Sequence, residues 1–380
     1  MSRYLRIFSF SFKYTILCLG ICFCLFLIGK LFPKNKKIGT FLMMFVLFVF
    51  SAIRVNSGSD FINYFTMYNT VLFYFGSLTS VFKSTYQSGF LDLSYLVQKY
   101  IGGEYSIFVV IALFGSIATL VLFYKYTSSP RLALGTWVLS GFFLISMNVL
   151  KQYIAMIFIM FAFFSMKKNK YIMYFCYVVC ASIFHITAII PGVMPLFLNV
   201  ITLNKKSFAS ILLTSGVISL LIYPILNIFT KIPLFSKYSI YLSMASTVSL
   251  RFIISAMITV VVYSIIIFLL LNPKIKLNET TQLYLKILII GMVFAVISFR
   301  FFFLSRISYY FLQFLPFLVG SLETNVFKSR YQGKNTKKLF FCVLAVYCFL
   351  FTSFSGENNY YNYSTRFNDV PASVMDFVGR

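Results

Sequence analysis

A chain of 380 residues with 60% hydrophobic, 20% aromatic and only 11% charged positions is far from the composition of a soluble domain, where about 25% of residues are charged. Its formal charge of +25 lies largely in short basic loops between apolar runs, where it reports topology and contact with an anionic inner membrane surface. Nucleic acid is therefore excluded as a partner, and the lack of short alternating segments excludes an outer-membrane barrel.

In chain order, apolar runs cover residues 14–32, 38–54, 106–124, 132–150, 152–166, 171–186, 187–203, 208–229, 251–271, 282–299, 304–322 and 339–354. Runs near 20 residues are what a membrane-spanning helix requires. The fold class expected is all-α: a polytopic integral membrane protein with about 12 transmembrane helices, forming a single membrane domain over 1–380. No Ala-x-Ala-like site follows the first run, so it reads as a retained helix and not a signal peptide. No internal repeat is evident, which counts against a secondary transporter built from inverted repeats with broken helices.

The basic loops fix an orientation. Lys30, Lys34, Lys36 and Lys37 follow the first run, Lys125 and Arg131 the third, and Lys167, Lys168 and Lys170 the fifth. Lys205 and Lys206 follow the seventh, Lys274 and Lys276 the ninth, and Lys328, Arg330, Lys334, Lys337 and Lys338 the eleventh. All six loops fall on one side, which the positive-inside rule makes cytoplasmic. Both termini are then expected outside, against the pull of Arg3, Arg6 and Lys13.

The outer side receives the irregular parts: a loop over 55–105, a second over about 230–250, and a polar tail from Ser355 to Arg380 rich in Asn and Tyr. A structureless loop as long as the first is uncommon. Phe61, Tyr64, Phe65, Tyr68, Leu72 and Phe73 predict interfacial helices within it.

The seven cysteines (18, 22, 24, 176, 180, 342 and 348) all lie in apolar runs, none in a CxxC pair, and His185 is the only histidine. They read as small packing residues. No metal site and no cofactor is expected, since structural zinc takes about four such ligands.

One set of charged and titratable residues is left over by topology. Arg54, Asp60, Lys151, His185, Arg251, Arg300 and Arg306 map to the outer ends of runs. Singly, each could be an interfacial anchor whose head snorkels to water. Together they suggest a basic funnel at the outer face, suited to an anionic lipid headgroup. Arginine grips phosphate oxygens in pairs, and fixed cations can stabilise a leaving diphosphate. Asp60 could be a base, a partner that orients Arg54, or a helix cap. His185 could hold a sugar hydroxyl, act as a base, or form a hydrogen bond between helices. Lys151-Gln152 is another polar pair at an outer turn.

These residues resemble a family. Arg54-xxx-Gly58-x-Asp60-xxx-Tyr64 is similar to the R-xxx-G-x-D-xxx-Y segment of EpsG-like proteins, which belong with the Wzy-type polymerases of O-antigen and capsular polysaccharide. Asp92 followed by Tyr95 resembles the acidic and aromatic residues of that family's outer loop. Lys151-Gln152-Tyr-Ile-Ala155 resembles R-Q-x-I-A, and Phe184-His185-Ile-Thr187-Ala188 resembles F-H-x-S/T-A. Arg306-Ile-Ser-Tyr309-Tyr310 with Pro316 resembles the late R-xx-Y-Y/F…P segment. Two departures stand out. Lys151 replaces an arginine and loses its bidentate fork, and Asp92 replaces the more usual glutamate.

The resemblance implies a metal-independent membrane glycosyltransferase with a GT-C-like arrangement, in the bacterial cytoplasmic membrane. It would join oligosaccharide repeat units carried on undecaprenyl diphosphate into O-antigen, capsular polysaccharide or exopolysaccharide at the outer face. Asp60 and His185 would be its catalytic residues. Arg54, Tyr64, Asp92, Lys151, Gln152, Arg251, Arg300, Arg306 and Tyr309 would bind diphosphate or sugar, with Arg251 and Arg300 resting on position alone. Partners implied are the lipid-linked oligosaccharide, the bilayer, a chain-length regulator and a flippase. The competing reading is a flippase or other transporter of the same lipid-linked substrate, which needs charges along a path crossing the membrane. An envelope ligase or acyltransferase is a second rival.

Overall fold

The computed structural model of the protein describes residues 12–55, 57–80, 88–231, 250–301, 303–323, 326, 333–354 and 364–365. The side chain of Arg251, the basic residues Arg3, Arg6, Lys328 and Arg330, almost all of the loop near 230–250, and most of the polar tail lie outside that description.

The described residues form α1 (Phe12–Leu31), α2 (Lys36–Ala52), β1 (Arg54–Val55), α3 (Phe61–Tyr74), α4 (Gly89–Tyr100), α5 (Ser106–Tyr126), α6 (Pro130–Leu139), α7 (Phe142–Asn148), α8 (Leu150–Met166), α9 (Tyr171–Phe184) and α10 (Ile189–Val193). They continue with α11 (Lys205–Thr230), α12 (Leu250–Leu270), α13 (Glu279–Ile297), α14 (Phe303–Leu312), α15 (Leu315–Leu322), α16 (Gly333–Phe354) and β2 (Ser364–Thr365). Among the described residues the fold is helical apart from one antiparallel two-residue pairing, Arg54 opposite Thr365 and Val55 opposite Ser364.

Among the described residues, four helices are long and apolar enough to cross a membrane: Ser106–Tyr126, Lys205–Ile222, Phe252–Leu270 and Glu279–Ile297. The interrupted pair α6 and α7 makes a fifth if counted as one span, and Gly20–Leu31, Leu150–Met166 and Tyr171–Phe184 are shorter apolar helices.

Three runs that read as continuous spans are broken, each for a local reason. The run 187–203 folds as a 3-10 turn over Ile186–Ala188, the single turn α10, a 3-10 turn over Met194–Phe197 and a non-helical stretch. Pro191 and Pro195 remove helix amides there. The run 132–150 is interrupted at Gly141, whose φ of +78° is left-handed and natural only for glycine. The run 304–322 splits into α14 and α15, with Pro316 in the first turn of α15, where its missing amide costs nothing. Broken helices, absent from the sequence reading, are thus a feature of this fold.

The chain divides into two units. The first takes residues 16–125, 142–192 and 358–380. Within it α8 packs along α9, and α3 packs on α4. Gly115 of α5 lies so close to the Tyr153 ring of α8 that a Cβ would sit 2.5 Å from it, the small-residue contact that lets membrane helices approach. The strand pair β1–β2 also belongs to this unit, so residues 54–55 and 364–365 lie on one side of any bilayer, and the chain between them crosses an even number of times.

The second unit takes residues 1–15, 126–141 and 193–357. Its centre is α13, which packs on α11, α12 and α14, while α15 packs on α6 and α12 on α16. Lys286, in the middle of α13, donates from Nζ to the Leu198 carbonyl at 2.9 Å. This answers two otherwise costly features at once, a cation within an apolar helix and a carbonyl outside regular structure.

Candidate functional site

The site is built on the turn between α2 and α3. After α2 ends at Ala52, Arg54 turns inward and is only 1% exposed. Its Nη1 donates to Ser51 O at 2.7 Å and Ser51 Oγ at 2.8 Å, and its Nη2 donates to Met147 O at 3.1 Å. The guanidinium also lies 5.4 Å from the centre of the Phe108 ring. A buried charge must be satisfied in this way. Arg54 therefore ties the end of α2 to the end of α7. Both terminal nitrogens of the Arg54 fork are thus engaged by the protein itself.

The residue after Met147 completes the brace. Asn148 ends α7, is buried, and accepts through Oδ1 from the Asp60 amide at 3.1 Å and from Ser59 Oγ at 3.4 Å. Gly58 makes this approach feasible. Its φ is +98°, and a Cβ on it would lie 2.6 Å from Asn148 Oδ1 and 3.1 Å from Asn148 Cα. The R-xxx-G-x-D spacing thus has a geometric meaning: Arg holds one face of the 147–148 segment, and Gly lets the Asp backbone reach the other.

Asp60 occupies the N-cap position of α3, yet its side chain makes no capping hydrogen bond. The helix-cap reading of Asp60 is therefore not its role. The carboxylate is half-buried, at the start of an element whose backbone is pinned.

Lys151 lies in the first turn of α8, ahead of the apolar run that begins at Gln152. Its Nζ stands 5.3 Å from the centre of the Phe90 ring, within the range of a cation–π contact. Burial lowers the affinity of its amine for a proton, and the Asp60 carboxylate opposes that shift. Tyr64 of α3 packs on the same Phe90 ring with centroids 5.0 Å apart. Phe90, fully buried, thus joins α3, α4 and α8 beneath the Asp60–Lys151 pair.

Asp92 is two residues from Phe90 on α4, half-buried, and its Oδ1 has no hydrogen-bond partner. Gln152 is fully buried beside Lys151. His185 caps α9 in an extended conformation, and its Nδ1 lies 2.6 Å from Thr187 Oγ1. The start of α4 closes on the residues just before His185, since a Cβ on Gly89 would lie 2.9 Å from Ile183 Cγ2 and 3.2 Å from the Phe184 ring. Seven of the sequence-derived residues (Arg54, Asp60, Tyr64, Asp92, Lys151, Gln152 and His185) therefore share one unit.

The other four belong to the second unit. Arg300 is exposed just beyond α13, and Arg306 and Tyr309 are half-buried on α14. Among the described residues, no group of three His, Cys, Asp or Glu side chains comes together.

Sequence reasoning missed Asn148 and Phe90. Asn148 did carry a signal: an amide within an apolar run is costly unless partnered. Phe90 carried none, being one of 49 phenylalanines.

A profile of the EpsG family matches residues 37–365. The chain belongs to the EpsG family. The match runs from the start of α2 to the last residue of β2, and so takes in every element that builds the site. Family membership makes this a membrane protein of the polysaccharide-polymerase, glycosyltransferase-like type. Comparison with curated proteins finds no match, and comparison with solved structures finds none either.

Proposed function

We propose that the chain polymerises oligosaccharide repeat units carried on undecaprenyl diphosphate, at the outer face of the bacterial cytoplasmic membrane. The product would be O-antigen, capsular polysaccharide or exopolysaccharide. The observation that carries this reading is Asp60: a half-buried carboxylate at an N-cap position whose side chain makes no capping hydrogen bond, on a backbone fixed by Asn148, beside the Lys151 cation, in a member of the EpsG family.

In the proposed reaction, a hydroxyl on the incoming unit attacks the anomeric carbon of the growing chain. A new glycosidic C–O bond forms, and the bond from that carbon to the diphosphate oxygen breaks. The hydroxyl proton passes to the Asp60 carboxylate, and the electron pair leaves with undecaprenyl diphosphate. Positioned proton transfer of this kind is worth about 10²–10⁴-fold in rate. Lys151 supplies positive charge beside Asp60, and Arg54 acts indirectly by holding the 147–148 segment. Asp92, whose buried Oδ1 has no hydrogen-bond partner, and His185, with a ring nitrogen committed to Thr187, are assigned to sugar hydroxyls. Arg251, Arg300, Arg306 and Tyr309 keep the role in binding diphosphate or sugar that their sequence positions suggest.

This reading counts the short and interrupted apolar helices as parts of about 12 crossings, in a GT-C-like arrangement without a metal. A chain-length regulator and a flippase complete the expected partners. One observation favours the transporter alternative: broken helices such as those around Gly141 and Pro191 are common at transport sites. Deletion of the gene in a strain with a polymeric surface glycan separates the two. A polymerase leaves single repeat units on the surface, whereas a flippase leaves none.

A further inference from the structure

Within the second unit, at the basic end of α11, lies a cavity of about 620 Å³ that the site chemistry does not use. Its polar lining includes Asn204, Lys205, Lys206, Asn272 and Gln282, and among the described residues no carboxylate lines it. It therefore brings together the basic loop after the seventh apolar run and the loop after the ninth. Lys205 also lines a second hollow of about 470 Å³ formed by Val260, Val261, Ser264, Ile265, Phe268 and Leu269. That hollow is an apolar groove running along α12 for roughly 13 Å at 1.5 Å per residue. Phe268, one of its lining residues, is backed by the fully buried Phe208, whose ring meets it edge-on with centroids 5.2 Å apart. Its outer side is open, with Val261 54% exposed.

We infer that these two hollows form one binding site for an anionic membrane phospholipid, its phosphate on Lys205 and Lys206 and one acyl chain in the groove along α12. Charge selects the occupant. Two exposed lysines and two asparagine side chains at the mouth suit a phosphate with net negative charge, and the groove beyond suits hydrocarbon. Neither hollow alone would hold the molecule: a free anion would leave the groove empty, and a neutral lipid would leave the lysines unmatched. Lysines near a membrane surface are drawn to anionic lipid. The site is distinct from the Asp60 cluster and does not depend on the polymerase reading.

The test uses the full-length protein in a zwitterionic detergent, with native mass spectrometry and thermal stability as readouts. Phosphatidylglycerol, phosphatidylcholine and inorganic phosphate are added in parallel. Phosphatidylglycerol should stay bound and raise the melting temperature, while phosphatidylcholine and phosphate at equal concentration should do neither. The double variant Lys205→Gln/Lys206→Gln, altered only at exposed positions, should weaken phosphatidylglycerol retention by about tenfold or more. Ser264→Trp, which fills the groove and leaves both lysines in place, should also displace the lipid. Equal retention of both lipids, wild-type retention by either variant, or the same stabilisation by inorganic phosphate alone would overturn the proposal.

Discussion

Asn148 Oδ1 accepts the Asp60 amide at 3.1 Å, while the carbonyl of the preceding residue, Met147, accepts from Arg54. Two adjacent residues at the end of α7 thus hold both ends of the Arg54–Asp60 segment. The brace spans 88 residues of sequence and makes the position of the Asp60 carboxylate depend on residues that carry no chemistry themselves.

Asn148→Ala should therefore reduce chain extension although the carboxylate is intact. It removes the acceptor of the half-buried Asp60 amide, a hydrogen bond worth about 0.5–1.5 kcal/mol. Gly58→Ala should act in the same direction, because it forces a side chain into a φ of +98° against Asn148. That strain costs on the order of 1–3 kcal/mol before the clash is counted. Glycan chain length and the melting temperature of the purified variants check both, and normal values in both assays would remove the brace from the account.

Arg54→Lys distinguishes a buried brace from a phosphate clamp. Lysine keeps the charge but not the fork that reaches Ser51 and Met147. The protein should lose about 2 kcal/mol or more of stability, since hydrogen bonds from a charged donor are the stronger ones. Protease resistance in detergent measures this. Wild-type resistance together with lost polymer would instead favour a direct contact with the headgroup.

Lys151 carries a pH prediction. Burial lowers its pKa from the ordinary 10.5, so its amine is neutral at a pH where a solvated lysine is still charged. If the cation is needed, activity should fall on the alkaline side with a midpoint below 10.5. Lys151→Arg keeps the charge throughout and should remove that limb. A Lys151→Arg profile identical to the wild type would show that the limb belongs to another group.

The pairing of Arg54–Val55 with Ser364–Thr365 predicts that removing residues 364–380 shortens polymer without blocking membrane insertion. Insertion is read by membrane fractionation, and chain length by gel. Full-length polymer from the truncated protein would make the strand pair incidental.

Several features of this architecture were legible in the residues. Apolar runs gave the helical class, and the spacing Arg54, Gly58, Asp60, Tyr64 marked the turn that organises the site. The breaks were harder to see. Hydropathy is blind to backbone conformation, so a run that stays apolar through Gly141 or Pro191 reads as one helix even though its backbone cannot continue. Burial was misjudged at Arg54 for a related reason. A charge at the end of a run looks like an anchor at the interface, and only the carbonyls of Ser51 and Met147, the latter 93 residues away, show that it turns inward. The tail gave no hint of its strand, because two backbone residues pair through amides that every sequence has.

The most direct measurement is the surface glycan made by a deletion strain carrying Asp60→Asn. The substitution keeps the side chain's shape and the Asp60 amide bond to Asn148, and removes the carboxylate charge. Polymer should collapse to single repeat units, with extension reduced about a hundredfold or more and the protein present in the membrane at normal level. Polymer of wild-type length would contradict the account.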